Sequence, residues 1–238
     1  RCAICEATRP KRVNGAVEKG GLLVLPGKLK TPRTWSAGPL TGRTPGPTLR
    51  ELVDDSAFAP TVEFLDASPA EAEVQPAVLS DLAAPWRTRR QLARLSASRR
   101  SSSETFRFAV LGDAEPGRFW IWRRLFNRAG VFEGQVRRAQ EEACDFSMQL
   151  GDMVSRGTQA NYQAFFEDLA AWDVTTPYLT TIGNHDRRSP HGVTDSRLYR
   201  SCFGPVNYAF DRGAWRFVSL DTSAHRVTAG QLRWLDGV

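Results

Sequence analysis

Methionine, histidine and cysteine are scarce in this 238-residue chain, with 2, 3 and 4 copies, and no methionine precedes Met148. The chain therefore does not display its own initiation site and reads as a fragment or a processed product. Four cysteines do not make a disulfide framework. Cys2 and Cys5 form one C-x-x-C without a second pair at zinc-ribbon spacing, so an unstructured terminus is favoured there over a metal or redox site. No apolar run approaches the ~20 residues of a membrane-spanning helix, and Leu22 to Leu25 is too short for a signal-peptide core. The sequence leaves localisation unassigned, with the cytoplasm slightly favoured over secretion after loss of an upstream signal peptide.

What is present is unevenly spread. Residues 1–104 carry 16 basic and 11 acidic side chains, against 16 and 15 in residues 105–238, so most of the net charge of +6 sits in the first part. Ten of the 14 prolines lie before Thr105 and 20 of the 24 aromatic residues after it. Aromatic burial offsets ordering entropy, and a proline-rich stretch with few aromatics lacks that compensation. The expected organisation is a basic, largely disordered leader over 1–104 and a packed domain over 105–238. Arg9 to Thr48 reads as coil, and Thr61 to Leu65 as a short strand. Trp86 to Arg100, rich in arginine, reads as a solvated linker, with a basic helix touching nucleic acid or an anionic membrane as the less favoured alternative.

From Thr105 the pattern changes. Phe106 to Leu111, Phe146 to Leu150, Pro177 to Ile182 and Trp215 to Leu220 read as strands. Arg118 to Arg128, Glu133 to Ala143 and Asn161 to Ala171 read as helices, the last with Tyr162, Phe165, Phe166 and Leu169 on one stripe. Trp120, Trp122 and Phe126 are read as core and rim rather than a base-stacking platform. Strand, helix, strand at this spacing implies an α/β fold with a mainly parallel or mixed sheet.

Three of the strands end alike, at Leu111-Gly112-Asp113, Leu150-Gly151-Asp152 and Ile182-Gly183-Asn184. Loops at the carboxyl ends of such strands line the ligand crevice of an open α/β sheet, so their oxygen-bearing side chains would converge. Glu115 follows Asp113 by two positions, and His185 and Asp186 follow Asn184. Clustered carboxylates raise one another's pKa, and a bound cation removes the conflict. Carboxylate, amide and imidazole suit Mn, Fe or Zn, with Mg admitted.

The ordered blocks Gly112-Asp113-Ala114-Glu115, Gly151-Asp152-Met153-Val154-Ser155-Arg156-Gly157 and Gly183-Asn184-His185-Asp186 resemble the calcineurin-like metallophosphoesterase superfamily, specifically a bacterial, purple-acid-phosphatase-like member. Gln231-Leu232-Arg233-Trp234-Leu235 is similar to a later segment of such members. The resemblance implies an α/β/β/α sandwich of mixed sheets and a metal-dependent hydrolase acting on a phosphate mono- or diester. It implies two metal ions, with Asp113 and Asn184 each ligating one and Asp152 bridging both. His185 would face the substrate phosphate, Asp186 would orient its ring, and Arg156 would contact a phosphate oxygen. Two such cations lower the pKa of a shared water from 15.7 toward ~7 and clamp the phosphate oxygens.

Two departures from the pattern matter. Glu115 stands where the family usually has histidine, and as a carboxylate it is carried as a metal ligand that would shift preference toward harder ions such as Mn or Mg, the position otherwise being vacant; Ser155 stands where the family's protein phosphatases have aspartate. The family's last histidine-bearing blocks would lie beyond the fourth strand, and the chain ends at Val238. A C-terminally truncated domain with weak metal binding and slow turnover is therefore expected. His191 and His225 are considered as substitutes and disfavoured as ligands against ordinary loop histidines. The alternative function is a non-catalytic binding module, with the basic leader as its interaction segment. The expected partner is a phosphorylated substrate, and nucleic acid has weak support.

Overall fold

The computed structural model describes residues 2–7, 17–19, 22–26, 62–65, 77–98, 105–112, 114, 130–187 and 195–238. Its strands are β1 (Cys2–Ala7), β2 (Val17–Lys19), β3 (Leu22–Pro26), β4 (Val62–Phe64), β5 (Phe106–Leu111), β6 (Phe146–Leu150), β7 (Tyr178–Thr181), β8 (Tyr208–Arg212) and β9 (Trp215–Ser219). Its α-helices are α1 (Ala77–Ala83), α2 (Thr88–Ala97), α3 (Val131–Glu141), α4 (Gln159–Ala171), α5 (Arg197–Phe203) and α6 (Ala229–Gly237).

Two sheets result. The first has the order β1-β5-β6-β7, with β5, β6 and β7 parallel and β1 antiparallel on the edge. The second, β2-β3-β9-β8-β4, is antiparallel throughout. The strand at Trp215 thus belongs to the second sheet, and it is not a further crossover strand of the first.

Side-chain alternation explains the stacking of layers. On β5, Phe106 and Phe108 point between the sheets while Ala109 and Leu111 join the helix-covered side. Helices α1, α3, α4 and α5 cover that outer face through Leu79, Val136, Phe165, Leu169 and Tyr199. On the far side, Trp234 and Leu235 of α6 pack on Ala209 and Val218 of the second sheet. The order is therefore helix, sheet, sheet, helix, an α/β/β/α sandwich as expected.

Between the sheets lies an aromatic cluster. Phe108 and Phe146 stack across β5 and β6 at 5.2 Å and 7°, and Phe210 and Phe217 stack across β8 and β9 at 5.1 Å and 11°. The two stacks meet edge to face, as in Phe146 against Phe217 at 5.1 Å and 89°. This arrangement sets the positive ring edges of one pair against the negative faces of the other. Phe146, fully buried, touches both pairs. Phe146→Ala should lower the unfolding free energy by about 3–5 kcal/mol in urea titrations, and a loss under ~1 kcal/mol would contradict this packing. Below the cluster, Arg212 of β8 forms a buried ion pair with Asp145, whose other oxygen accepts the Arg107 amide at 3.1 Å, so the same end of both sheets is tied by charge.

The solvated-linker reading of Trp86 to Arg100 does not hold for the residues described there. A 3-10 turn, Ala84–Trp86, leads into α2, and Trp86, Leu92 and Leu95 are buried. The arginines hid a narrow apolar stripe completed by Gln91. Its side chain is buried, donating to the Pro85 carbonyl at 2.7 Å and accepting the Tyr178 amide at 2.8 Å where β7 begins. The coil reading of Arg9 to Thr48 likewise fails at β2 and β3. Residues before Thr105 supply strands to both sheets. The terminus read as unstructured at Cys2 and Cys5 is strand β1, paired with β5; elsewhere the expected elements appear within a few residues of their bounds, including β4. The expected helix at Arg118 to Arg128, with Trp120, Trp122 and Phe126, lies outside the described residues.

Candidate active site

The carboxyl ends of β6 and β7 cross at backbone contact. A Cβ on Gly151, whose φ is +84°, would lie 2.6 Å from the Cα and N of Gly183, and one on Gly183 would strike the Asp152 carboxylate and amide. Only glycine at both positions lets Asp152 and Asn184 stand side by side. Asp152 itself takes the left-handed conformation, φ 52°, which costs a non-glycine residue about 1–3 kcal/mol unless its surroundings enforce it.

Asp186 supplies that enforcement. Its Oδ2 accepts the amides of Asp152 at 2.8 Å and Gly183 at 2.7 Å, and its Oδ1 those of Met153 at 2.9 Å and Val154 at 3.2 Å. Burial pushes this carboxyl up to about 7, and the Asp152 charge adds to the rise, while the amide bonds oppose it. With four N–H groups directed at its two oxygens, little room is left for a proton, so the geometry favours the carboxylate. The carbonyl of Asp186 accepts the Tyr162 phenol at 2.9 Å, and burial, then Asp186, keep that phenol protonated by raising its pKa.

Asp152 and His185 are joined directly. The His185 amide donates to Asp152 Oδ1 at 3.0 Å. The imidazole Nδ1 lies 3.2 Å from the Ser155 carbonyl. A carbonyl oxygen only accepts, so Nδ1 carries the proton in this contact. Asp186 therefore does not orient the ring as expected. It serves the loop backbone, and the Ser155 main chain holds the imidazole.

Asp152, Asn184, His185 and Asp186 are thus brought together. Arg156 is exposed, with its carbonyl accepting from Asn161 Nδ2 at 2.8 Å just before α4. Asp113, Glu115 and His191 lie outside the described residues. His225 is exposed in a turn, φ 56°, its amide donating to Thr222 at 2.8 Å. Among the described residues no group of three or more His, Cys, Asp or Glu side chains is arranged to hold a metal. The donor chemistry present nonetheless fits one. Asp152 and Asn184 offer hard oxygens at adjoining strand ends, and the absent side chain of Gly183 is what makes room for the Asp152 carboxylate itself.

A polar connection behind these loops had no sequence signal beyond the neighbouring pairs Asp186-Arg187 and Asp221-Thr222-Ser223. The buried Arg187 donates from Nε to Ser223 Oγ at 2.8 Å and from Nη2 to the Asp221 carboxylate at 2.9 and 3.1 Å. Asp221 is fixed in turn, its amide donating to Asn207 Oδ1 and its carbonyl accepting from Gln231 Nε2, both at 2.8 Å. Gln231, the buried residue of the Gln231–Leu235 segment, closes a capping box with Thr228 at the start of α6.

The family model for calcineurin-like phosphoesterases matches residues 106–229, more than half of the chain. The chain belongs to the calcineurin-like phosphoesterase family. No curated protein and no solved structure gives a match.

Proposed function

We propose that this domain hydrolyses a phosphate mono- or diester with the help of bound divalent or trivalent metal ions. The observation that carries the reading is the crossing of Gly151 and Gly183, which sets Asp152 beside Asn184 and His185 in a chain matched by a phosphoesterase family. Asp113, Asp152 and Asn184 are the residues that would hold the metals, with Glu115 as a further carboxylate donor. Mn, Fe and Zn suit this set, and Mg is the harder alternative. When bound, the metals supply positive charge against the phosphate oxygens and acidify the attacking water.

The rest of the work falls to the chain's own groups. His185, with Nδ1 committed to Ser155, presents Nε2 to stabilise the phosphate or to protonate the departing oxygen. Arg156, exposed beside the loop, supplies a guanidinium suited to phosphate oxygens. Asp186 keeps Asp152 in its left-handed conformation, so that no reorganisation is needed when substrate arrives.

The test is to strip the purified chain with EDTA and restore Mn, Fe(II), Zn and Mg singly. Bound metal is measured by mass spectrometry, and hydrolysis of p-nitrophenyl and bis-p-nitrophenyl phosphate is followed in parallel. Chelation should abolish turnover, and Mn, Fe(II) or Zn should restore it. A chain that binds none of these metals and cleaves neither ester is a non-catalytic binding module.

A further inference from the structure

We infer that Arg187 is a positioning residue for the candidate active site, fixing the alignment of the β6 and β7 loops from behind; the inference rests on the function proposed above. Arg187 is 6 % exposed, and its guanidinium is clamped by Asp221 and Ser223 beyond the end of β9. Its own main chain continues directly from Asn184, His185 and Asp186, and its carbonyl accepts the Gly157 amide at 3.0 Å. Arg187 therefore grips the second sheet with its side chain and the β6 loop with its backbone.

Gly157 shows how tight that grip is. A Cβ there would lie 2.7 Å from the Arg187 carbonyl carbon and 2.8 Å from its oxygen. Two contacts consequently bridge the same pair of segments: Gly157 amide to Arg187 carbonyl, and His185 Nδ1 to Ser155 carbonyl. Displacing Arg187 must shift the second through the first. The imidazole thus reports on the clamp.

A buried ion pair also has a purely structural reading, and the two readings separate experimentally. Losing one partner of such a pair is costly because it strands the other charge, whereas neutralising both removes that penalty. Arg187→Met should lower Tm by about 6 °C or more. The double variant Arg187→Met with Asp221→Asn leaves no lone charge and keeps an acceptor for Ser223, so it should melt within about 3 °C of the parent chain.

The deciding measurement is nitrogen-15 NMR of the histidine rings in the full chain, simple with three histidines and assigned by His185→Gln. In the parent chain His185 should show the Nδ1–H tautomer. In the double variant that pattern should give way to mixed tautomers, with kcat reduced about 10²-fold and KM within about threefold. An unchanged ring pattern in a well-folded double variant overturns the positioning role. Should that variant not fold, Arg187→Lys, which keeps the cation and loses the Nε contact, is read by the same criterion. A parent chain without turnover counts against the proposed function alone, because the ring pattern needs no substrate.

Discussion

Asp186→Ala is expected to lower the unfolding free energy by about 6 kcal/mol, enough to leave a typical domain of 5–15 kcal/mol marginal or unfolded. The carboxylate receives four backbone amides from two loops. A hydrogen bond to a charged group contributes about 1.5–3 kcal/mol, and a buried donor left unmatched costs about 1–3 kcal/mol. The low end of the first range, taken over four bonds, gives the figure. Relief of the buried charge offsets part of the loss, since burial works against this carboxylate. That relief does not rehouse the amides. It also releases Asp152 from its left-handed conformation. Asp186→Asn should fall between, because one carboxamide oxygen survives while its NH2 confronts the remaining donors. Urea unfolding followed by tryptophan fluorescence checks the series, and a loss under ~2 kcal/mol for Asp186→Ala would show that the loops hold without it.

This role was only half visible in the sequence. Asp186 stands out because it closes the Gly183-to-Asp186 block, and adjacency to His185 suggests a ring partner. Which groups a carboxylate meets depends on backbone conformation, here on the positive φ values of Gly151 and Asp152 that turn four amides inward. By contrast β5, β6 and β7 were legible. Parallel strands covered by helices on one face and by a second sheet on the other appear as largely apolar runs, here punctuated by Gly-Asp or Gly-Asn. Helix α4 was legible for a similar reason, its stripe at Tyr162, Phe165, Phe166 and Leu169 being wholly buried.

What escaped was long-range and polar. Gln91 looks like a surface residue until its oxygen is found on the Tyr178 amide, 87 positions later. Arg187 and Asp221 are separated by 34 positions and meet only because β7 and β9 end at the same side of facing sheets. Strand β8 shows the same limit. Its burial depends on pairing with β4 and β9, which no local pattern announces.

Asp152→Asn isolates charge from shape, and it is expected to abolish phosphoester hydrolysis, by at least about 10⁴-fold in kcat/KM, while leaving the fold intact. Asparagine is isosteric, tolerates the left-handed region as aspartate does, and retains an oxygen to accept the His185 amide now bonded at 3.0 Å. The Asp186 bonds to the loop amides are untouched. What disappears is one negative charge at the strand end packed against Gly183, next to Asn184, the feature that most favours a cation there. His185→Gln supplies the comparison. General acid assistance is worth about 10²–10⁴-fold, so its loss should be smaller than that of Asp152→Asn and should leave metal binding intact. The paired measurements are metal content, melting temperature and hydrolysis of p-nitrophenyl phosphate. Parent-like metal content and turnover in Asp152→Asn would remove this carboxylate from the metal site, and a larger loss from His185→Gln would move the main source of catalysis from the metals to the imidazole.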